Sequence, residues 1–117
     1  MDMVTMQELR RVGVEGCCRR IRERIGGTKA FVAFDIDFLD PVYAPGTGAP
    51  VPGGVSSYEA CEILRGLLGL QLVGFDLTEV SAVRDPAGIT AMAAVAIVKQ
   101  FLILLSKQKK HSKEEQL

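Results

Sequence analysis

The sequence is short of charge imbalance, histidine and patterned cysteine. Its 117 residues carry 14 Lys+Arg against 14 Asp+Glu. A zero balance leaves no electrostatic footprint for a nucleic acid or a membrane surface, so neither is expected as a partner. Cys17, Cys18 and Cys61 form no C-x-x-C or zinc spacing. They read as reduced, buried, small apolar side chains in a cytosolic setting. The opening residues, Met1-Asp2-Met3-Val4-Thr5, hold an acid and no apolar run, which is not the pattern of a secretory signal. The one histidine, His111, falls in a charged stretch and reads as solvated. The apolar stretch before it is broken by Lys99 and Gln100 and falls short of roughly 20 clean residues. It reads as a helix packed in the core of a larger protein rather than as a membrane span.

What is present is a globular composition, 48% hydrophobic, in a chain long enough for one domain. Thr5 and Glu8 have the capping-box spacing and start a helix that ends near Gly13. A second helix is predicted over about 14–25, with Val14, Cys18, Ile21 and Ile25 as its buried stripe. Six arginines between Arg10 and Arg24 read as a solvated helix face with ion pairs to neighbours. Residues 30–34 and 70–77 are apolar runs that read as central strands buried on both faces. Between them Ser56 and Glu59 form another capping box, and Ala60, Cys61, Leu64, Leu67 and Leu68 make an apolar helix face. Strand, helix, strand implies a parallel pair with a right-handed crossover, hence an α/β fold. The last helix is predicted to start at Asp85-Pro86 and to run to about Leu105, followed by a fraying tail.

The chemistry concentrates in 34–54. Asp35 and Asp37 stand two apart at the end of a predicted strand, so both carboxylates project to one face, and Asp40 follows. Converging carboxylates repel; they are held together by a cation between them or by one shared proton. An all-oxygen donor set favours a hard cation such as Mg²⁺, Mn²⁺ or Ca²⁺. Ligand sites in open α/β sheets lie outside the carboxyl ends of the strands, where this Asp-x-Asp stands. The alternative is that one aspartate caps the next turn and the other is solvated. Pro41, Pro45, Gly46, Gly48, Pro50, Pro52, Gly53 and Gly54 then make a stiff, tightly turned loop suited to shaping a small-molecule site. The second strand also ends in acids, Asp76 and Glu79. A parallel sheet would bring Glu79 near the aspartates, as a partner for a planar cation such as a guanidinium; a helix cap or plain surface acid is the other reading.

The run from Ala33 to Pro41, then Ala44-Pro45-Gly46-Thr47-Gly48 and Gly53-Gly54, resembles the third signature of the ureohydrolases, the arginase and agmatinase family. Phe75-Asp76 with Glu79-Val80-Ser81, and Asp85-Pro86-Ala87-Gly88-Ile89-Thr90, resemble downstream family segments, closest to agmatinases. The resemblance implies a partial three-layer α/β/α sandwich with a parallel sheet, the C-terminal portion of the arginase-like fold, over 1–106; the charged residues 107–117 read as a disordered tail. It implies Asp35 and Asp37 as ligands of a dinuclear Mn²⁺ site and Glu79 as the acid that holds a guanidino substrate such as agmatine. The implied reaction is hydrolysis of an amidine C–N bond with release of urea, in full-length enzymes that assemble as homo-oligomers. Ala33, Ala49 and Ser81-Ala82-Val83 depart from the usual Ser or Thr, the second Thr and Ser-Pro-Pro. The Gly-Gly-Asp-His and Asp-Ala-His-x-Asp segments that supply the other ligands are absent. The expectation is therefore an incomplete site, inactive in this chain alone. Two other readings stand beside it. One is a non-catalytic truncated paralogue that associates with a full-length subunit. The other is a haloacid-dehalogenase-like phosphatase with Asp35 as nucleophile and Asp37 as acid/base.

Overall fold

The computed structural model describes residues 1–116; residue 117, the last of the expected tail, lies outside them. Helix α1 (Met6–Ile25) opens with the Thr5/Glu8 capping box. The Thr5 hydroxyl accepts from the Glu8 amide at 3.2 Å, and the Glu8 carboxylate accepts from the Thr5 amide at 2.7 Å. Gly13 breaks the helix with φ 73°, so α1 is two helical pieces that meet at a kink, as the pattern predicted. Such a φ is open to glycine at little cost. The arginine face is ion-paired in part, Arg10 to Glu59, Arg19 to Glu15 and Arg20 to Asp2.

Strand β1 (Lys29–Asp35) pairs in parallel with β2 (Gln71–Thr78), joined through α2 (Ser57–Arg65). The pairing runs from Lys29 opposite Gln71 to Asp35 opposite Thr78, with a register shift that leaves Val73 unmatched. Ser56 and Glu59 cap α2 reciprocally, as predicted. Within α2, Ala60, Cys61, Ile63 and Leu64 are buried, and Leu67 follows in the turn; Leu68, placed on that face from the sequence, is exposed.

Helix α3 (Ile89–Glu115) lies across the sheet. Its buried stripe is Ala93, Ile97, Phe101 and Leu104. Phe101 stacks on Phe75 of β2 with centroids 4.2 Å apart and meets Phe34 of β1 edge-on at 6.4 Å. Pro86–Glu115 is long and apolar enough to cross a membrane by length and composition, yet here one stripe is seated on the sheet. The helix does not end near Leu105: it continues through Glu115, so the expected tail is its last turns. Two contacts hold them, the Gln108 amide on the Leu72 backbone and the His111–Glu115 pair one helical turn apart. His111 is solvated, as expected.

Both strands were expected to be buried on two faces, and this is corrected. Ala30, Val32 and Phe34 with Leu72, Phe75 and Leu77 face the helices and form the core. The opposite face carries Phe31 at 59% exposure and Val73 at 58%. All three helices pack on one side, so no described element reaches that face. The chain thus builds a parallel α/β unit with two of the three layers of an α/β/α sandwich. The three cysteines are buried and free, and burial pushes each thiol above its ordinary pKa. They behave as the small apolar fillers the sequence suggested.

Candidate metal and substrate site at the carboxyl ends of the strands

Strand alternation is not what brings Asp35 and Asp37 together. The strand stops at Asp35, and Ile36–Phe38 form a 3₁₀ turn capped by Asp35 itself. The Asp35 Oδ1 accepts from the Asp37 amide at 3.0 Å. The capping alternative is thus realised, and the turn it caps swings Asp37 back beside Asp35. Burial pushes the Asp37 carboxyl above its ordinary pKa, followed by its hydrogen bond to Asp35 and the charges of Asp35 and Glu79. Glu79 follows Thr78, the residue paired with Asp35, so the three sequence-predicted residues stand at the same end of the strands. Glu79 follows β2 directly and takes φ 72°, a left-handed conformation uncommon for a side chain of its type. Residues held in such conformations cluster at functional sites, where the surrounding structure fixes them.

Asp40 and Asp76 do not join this cluster. Asp76 lies opposite Ala33 in the register, on the bare face of the sheet. Asp40 organises the Pro/Gly loop. Its carboxylate accepts from the Val42 amide at 2.9 Å and from the Gly53 amide at 2.8 Å, which ties the two ends of the loop together. Those backbone hydrogen bonds hold its pKa below the ordinary carboxylate value. The Asp40 amide donates to the Val55 carbonyl at 2.9 Å, and Leu39 and Val55 form a parallel bridge. Gly54 lies so close that a Cβ there would stand 2.4 Å from the Asp40 nitrogen. Arg10 reinforces the closure by donating to the Gly54 carbonyl at 2.9 Å.

The middle of the loop is fastened to α3. The Gly46 amide donates to the Thr90 hydroxyl at 2.7 Å, and its carbonyl accepts from the Ser81 amide at 2.7 Å. Asp85 caps α3, though not as a residue adjoining the helix. Ala87 (φ 54°) and Gly88 (φ 71°) turn the chain back. The Asp85 carboxylate then accepts from the Thr90 and Ala91 amides at 2.7 and 2.9 Å. The helix predicted to begin at Pro86 begins at Ile89 for that reason. Thr47, next to Gly46, is buried with no hydrogen-bond partner for its hydroxyl among the described residues. Sequence reasoning quoted Thr47 only within the signature; an isolated hydroxyl in a Pro/Gly loop was the available signal.

A cleft of about 480 Å³ opens between Met6, Gln7 and Arg10 of α1 and 51–54 of the loop, with Asp37 and Phe38 on its wall. A larger one, about 660 Å³, lies at the other end of the sheet, between the start of β2 and the last turns of α3. It holds none of the three acids and is remote from the chemistry. The carboxylates of Asp35, Asp37 and Glu79 are of the donor type that suits a hard cation. Their arrangement does not complete a metal site: among the described residues no three His, Cys, Asp or Glu side chains are grouped closely enough to hold a metal ion.

A parallel βαβ unit with acids and a stiff Pro/Gly loop beyond its strand ends is the arrangement in which open α/β sheets place their ligand sites. Residues 1–104 match the arginase family. An agmatinase of Neisseria meningitidis serogroup C is 43% identical over 107 residues, covering 92% of this chain and 35% of its own length. A guanidinopropionase of Pseudomonas aeruginosa is 41% identical over 104 residues, 89% of this chain and 33% of its own. The crystal structure of a hypothetical agmatinase from Burkholderia thailandensis superposes with a TM-score of 0.92 at 40% identity, covering 95% of this chain and 36% of that one. The chain belongs to the arginase family. It spans about a third of the length of the curated relatives it matches.

Proposed function

We propose that this chain forms the strand-end portion of an agmatinase-like, metal-dependent hydrolase that cleaves a C–N bond of a guanidino compound and releases urea, and that by itself it is incomplete and inactive. The observation that supports the reading is that Asp35, Asp37 and Glu79 follow at the same, carboxyl-terminal end of the two parallel strands, Asp35 standing opposite Thr78 in the register. Asp35 and Asp37 would hold manganese, and Glu79 would hold the guanidinium by paired charge-assisted hydrogen bonds. Manganese bound there would supply an acidified water and a sink for developing negative charge. The chain's own residues position these groups. The Asp35-capped turn places Asp37, Asp40 and Arg10 close the loop, and the Gly46 amide fastens that loop to Thr90 of α3. Membership of the arginase family and likeness to agmatinases support the substrate class. The similarity to a guanidinopropionase leaves the far end of the substrate open to more than one chemistry. A cytoplasmic setting, no membrane or nucleic-acid partner, and homo-oligomers of the whole enzyme belong to the same proposal.

The bare sheet face with Phe31 and Val73 favours a second reading, a non-catalytic paralogue that associates with a full-length subunit through that face. One pair of measurements separates these readings from an intact enzyme: isothermal titration of the purified chain with Mn²⁺, then a urea-release assay with agmatine on the same sample. The expected result is weak binding and no urea. Tight uptake of two Mn²⁺ with turnover would overturn the incomplete-site reading.

A further inference from the structure

Glu79 holds a left-handed φ of 72° just beyond β2, a conformation that a residue with a Cβ keeps only when its surroundings impose it. Ser81, two residues on, is tied across the chain, its amide donating to the Gly46 carbonyl at 2.7 Å. Gly46 is fixed through its other backbone group as well, its amide donating to the Thr90 hydroxyl at 2.7 Å. Thr90 is fully buried in the first turn of α3, and its own amide donates to the Asp85 carboxylate at 2.7 Å. The 3₁₀ turn over Ala82–Arg84 joins Asp85 back to Ser81, so the links close a ring that begins two residues beyond Glu79. The ring has no slack. A Cβ on Gly46 would stand 2.6 Å from the Asp85 Cβ and 2.9 Å from the Thr90 hydroxyl oxygen.

We propose that Thr90 is a positioning residue for Glu79: its hydroxyl fixes Gly46, Gly46 fixes Ser81, and the tether at Ser81 keeps Glu79 in its left-handed turn. The proposal rests on the reading of Glu79 as the acid that receives a guanidinium. A carboxylate that pairs with a planar guanidinium through two parallel hydrogen bonds depends on orientation as well as charge. A backbone held in one sparsely populated conformation restricts where its side chain can reach, and the ring supplies that hold. Thr90 acts only through Gly46 and Ser81. Both Thr90 and Gly46 are buried, so loss of the hydroxyl leaves the Gly46 amide without an acceptor and out of reach of bulk water.

The experiment is nuclear magnetic resonance on the whole chain. It compares wild type with Thr90→Val, which keeps the shape and removes the hydroxyl, with Thr90→Ser, which restores it, and with Phe101→Leu, which weakens the seating of α3 elsewhere. Hydrogen exchange reads the Gly46 and Ser81 amides. The amide-to-Hα Overhauser effect of Glu79, strongest at positive φ, reads its backbone. In wild type both amides are protected and the Glu79 effect is strong. In Thr90→Val both amides exchange about tenfold faster, as loss of a buried hydrogen bond implies, and Glu79 loses its strong effect. Thr90→Ser behaves as wild type, and Phe101→Leu leaves the Glu79 effect unchanged. A weak effect at Glu79 in wild type, which needs no variant to fold, would overturn the proposal. So would a Glu79 effect unchanged in Thr90→Val, or one lost equally in Phe101→Leu. None of these readings needs metal, substrate or turnover, so a failure here is separate from a failure of the Mn²⁺ and urea-release measurements that test the proposed function.

Discussion

Phe101→Ala should remove much of the stability of this chain. Phe101 is fully buried on α3, stacked on Phe75 and edge-on to Phe34, so it joins the long helix to both strands. Truncating a buried Phe to Ala costs about 3–5 kcal/mol, from lost transfer energy and the cavity left behind. A chain of this length has a total stability on the order of 6–17 kcal/mol at the usual per-residue value. With one sheet face bare, the lower part of that range is the appropriate reference. Phe101→Ala therefore lowers the unfolding free energy by about 4 kcal/mol. Phe101→Leu, which keeps most of the apolar surface and loses two aromatic contacts, lowers it by about 1–2 kcal/mol. Urea denaturation followed by far-UV circular dichroism measures both. At a slope near 1.5 kcal/mol/M, Phe101→Ala shifts the midpoint by roughly 2–3 M. A loss below about 1 kcal/mol for Phe101→Ala would refute the reasoning, since α3 would then not be seated on the sheet through this ring. Phe34 adjoins Asp35, so the same substitution should loosen the strand end that carries the candidate site.

Gly54→Ala puts a methyl group into the Asp40 amide and the Phe38 carbonyl, both backbone atoms that cannot step aside; a loss of about 2–3 kcal/mol and faster amide exchange at Asp40 are expected, and wild-type exchange there would contradict the close approach. Asp37→Asn should raise the urea midpoint at pH 7, because the folded pKa of Asp37 lies above its unfolded value and the ionised form is disfavoured by burial and by Asp35 and Glu79. A group shifted in that direction weakens the fold as pH rises through the folded pKa and costs nothing once protonated below the unfolded one. The advantage of Asp37→Asn should therefore shrink on acidification toward pH 4, and an advantage independent of pH would rule out repulsion as its source.

Much of the fold was legible because local signals agreed with one another. Both capping boxes start helices where their Thr or Ser and Glu spacing puts them, and Gly13 interrupts α1 where the pattern stopped. Two apolar runs about one helix gave the parallel pair, and the cysteines are buried without pattern or partner. The misreadings have physical causes. The start of α3 was misplaced because Asp85 caps it across two residues with positive φ, a return of the chain that no helix-start rule contains. Its end was misplaced because the charged turns gain a tertiary anchor in Leu72, which local propensity does not register. Burial on both strand faces failed because an apolar run reports what a strand can bury, not whether its own chain supplies the cover.

For the candidate site, the sequence by itself supplied the acids proposed for it, Asp35, Asp37 and Glu79, and their spacing within a long motif. Only the tertiary structure decided where each of them stands. A cap at Asp35 replaces strand alternation, parallel pairing carries Glu79 to the same end, and Asp40 serves the loop instead of the cluster. The division follows from range. Donor type and spacing are properties of the chain, whereas placement depends on hydrogen bonds and pairings between residues far apart in sequence.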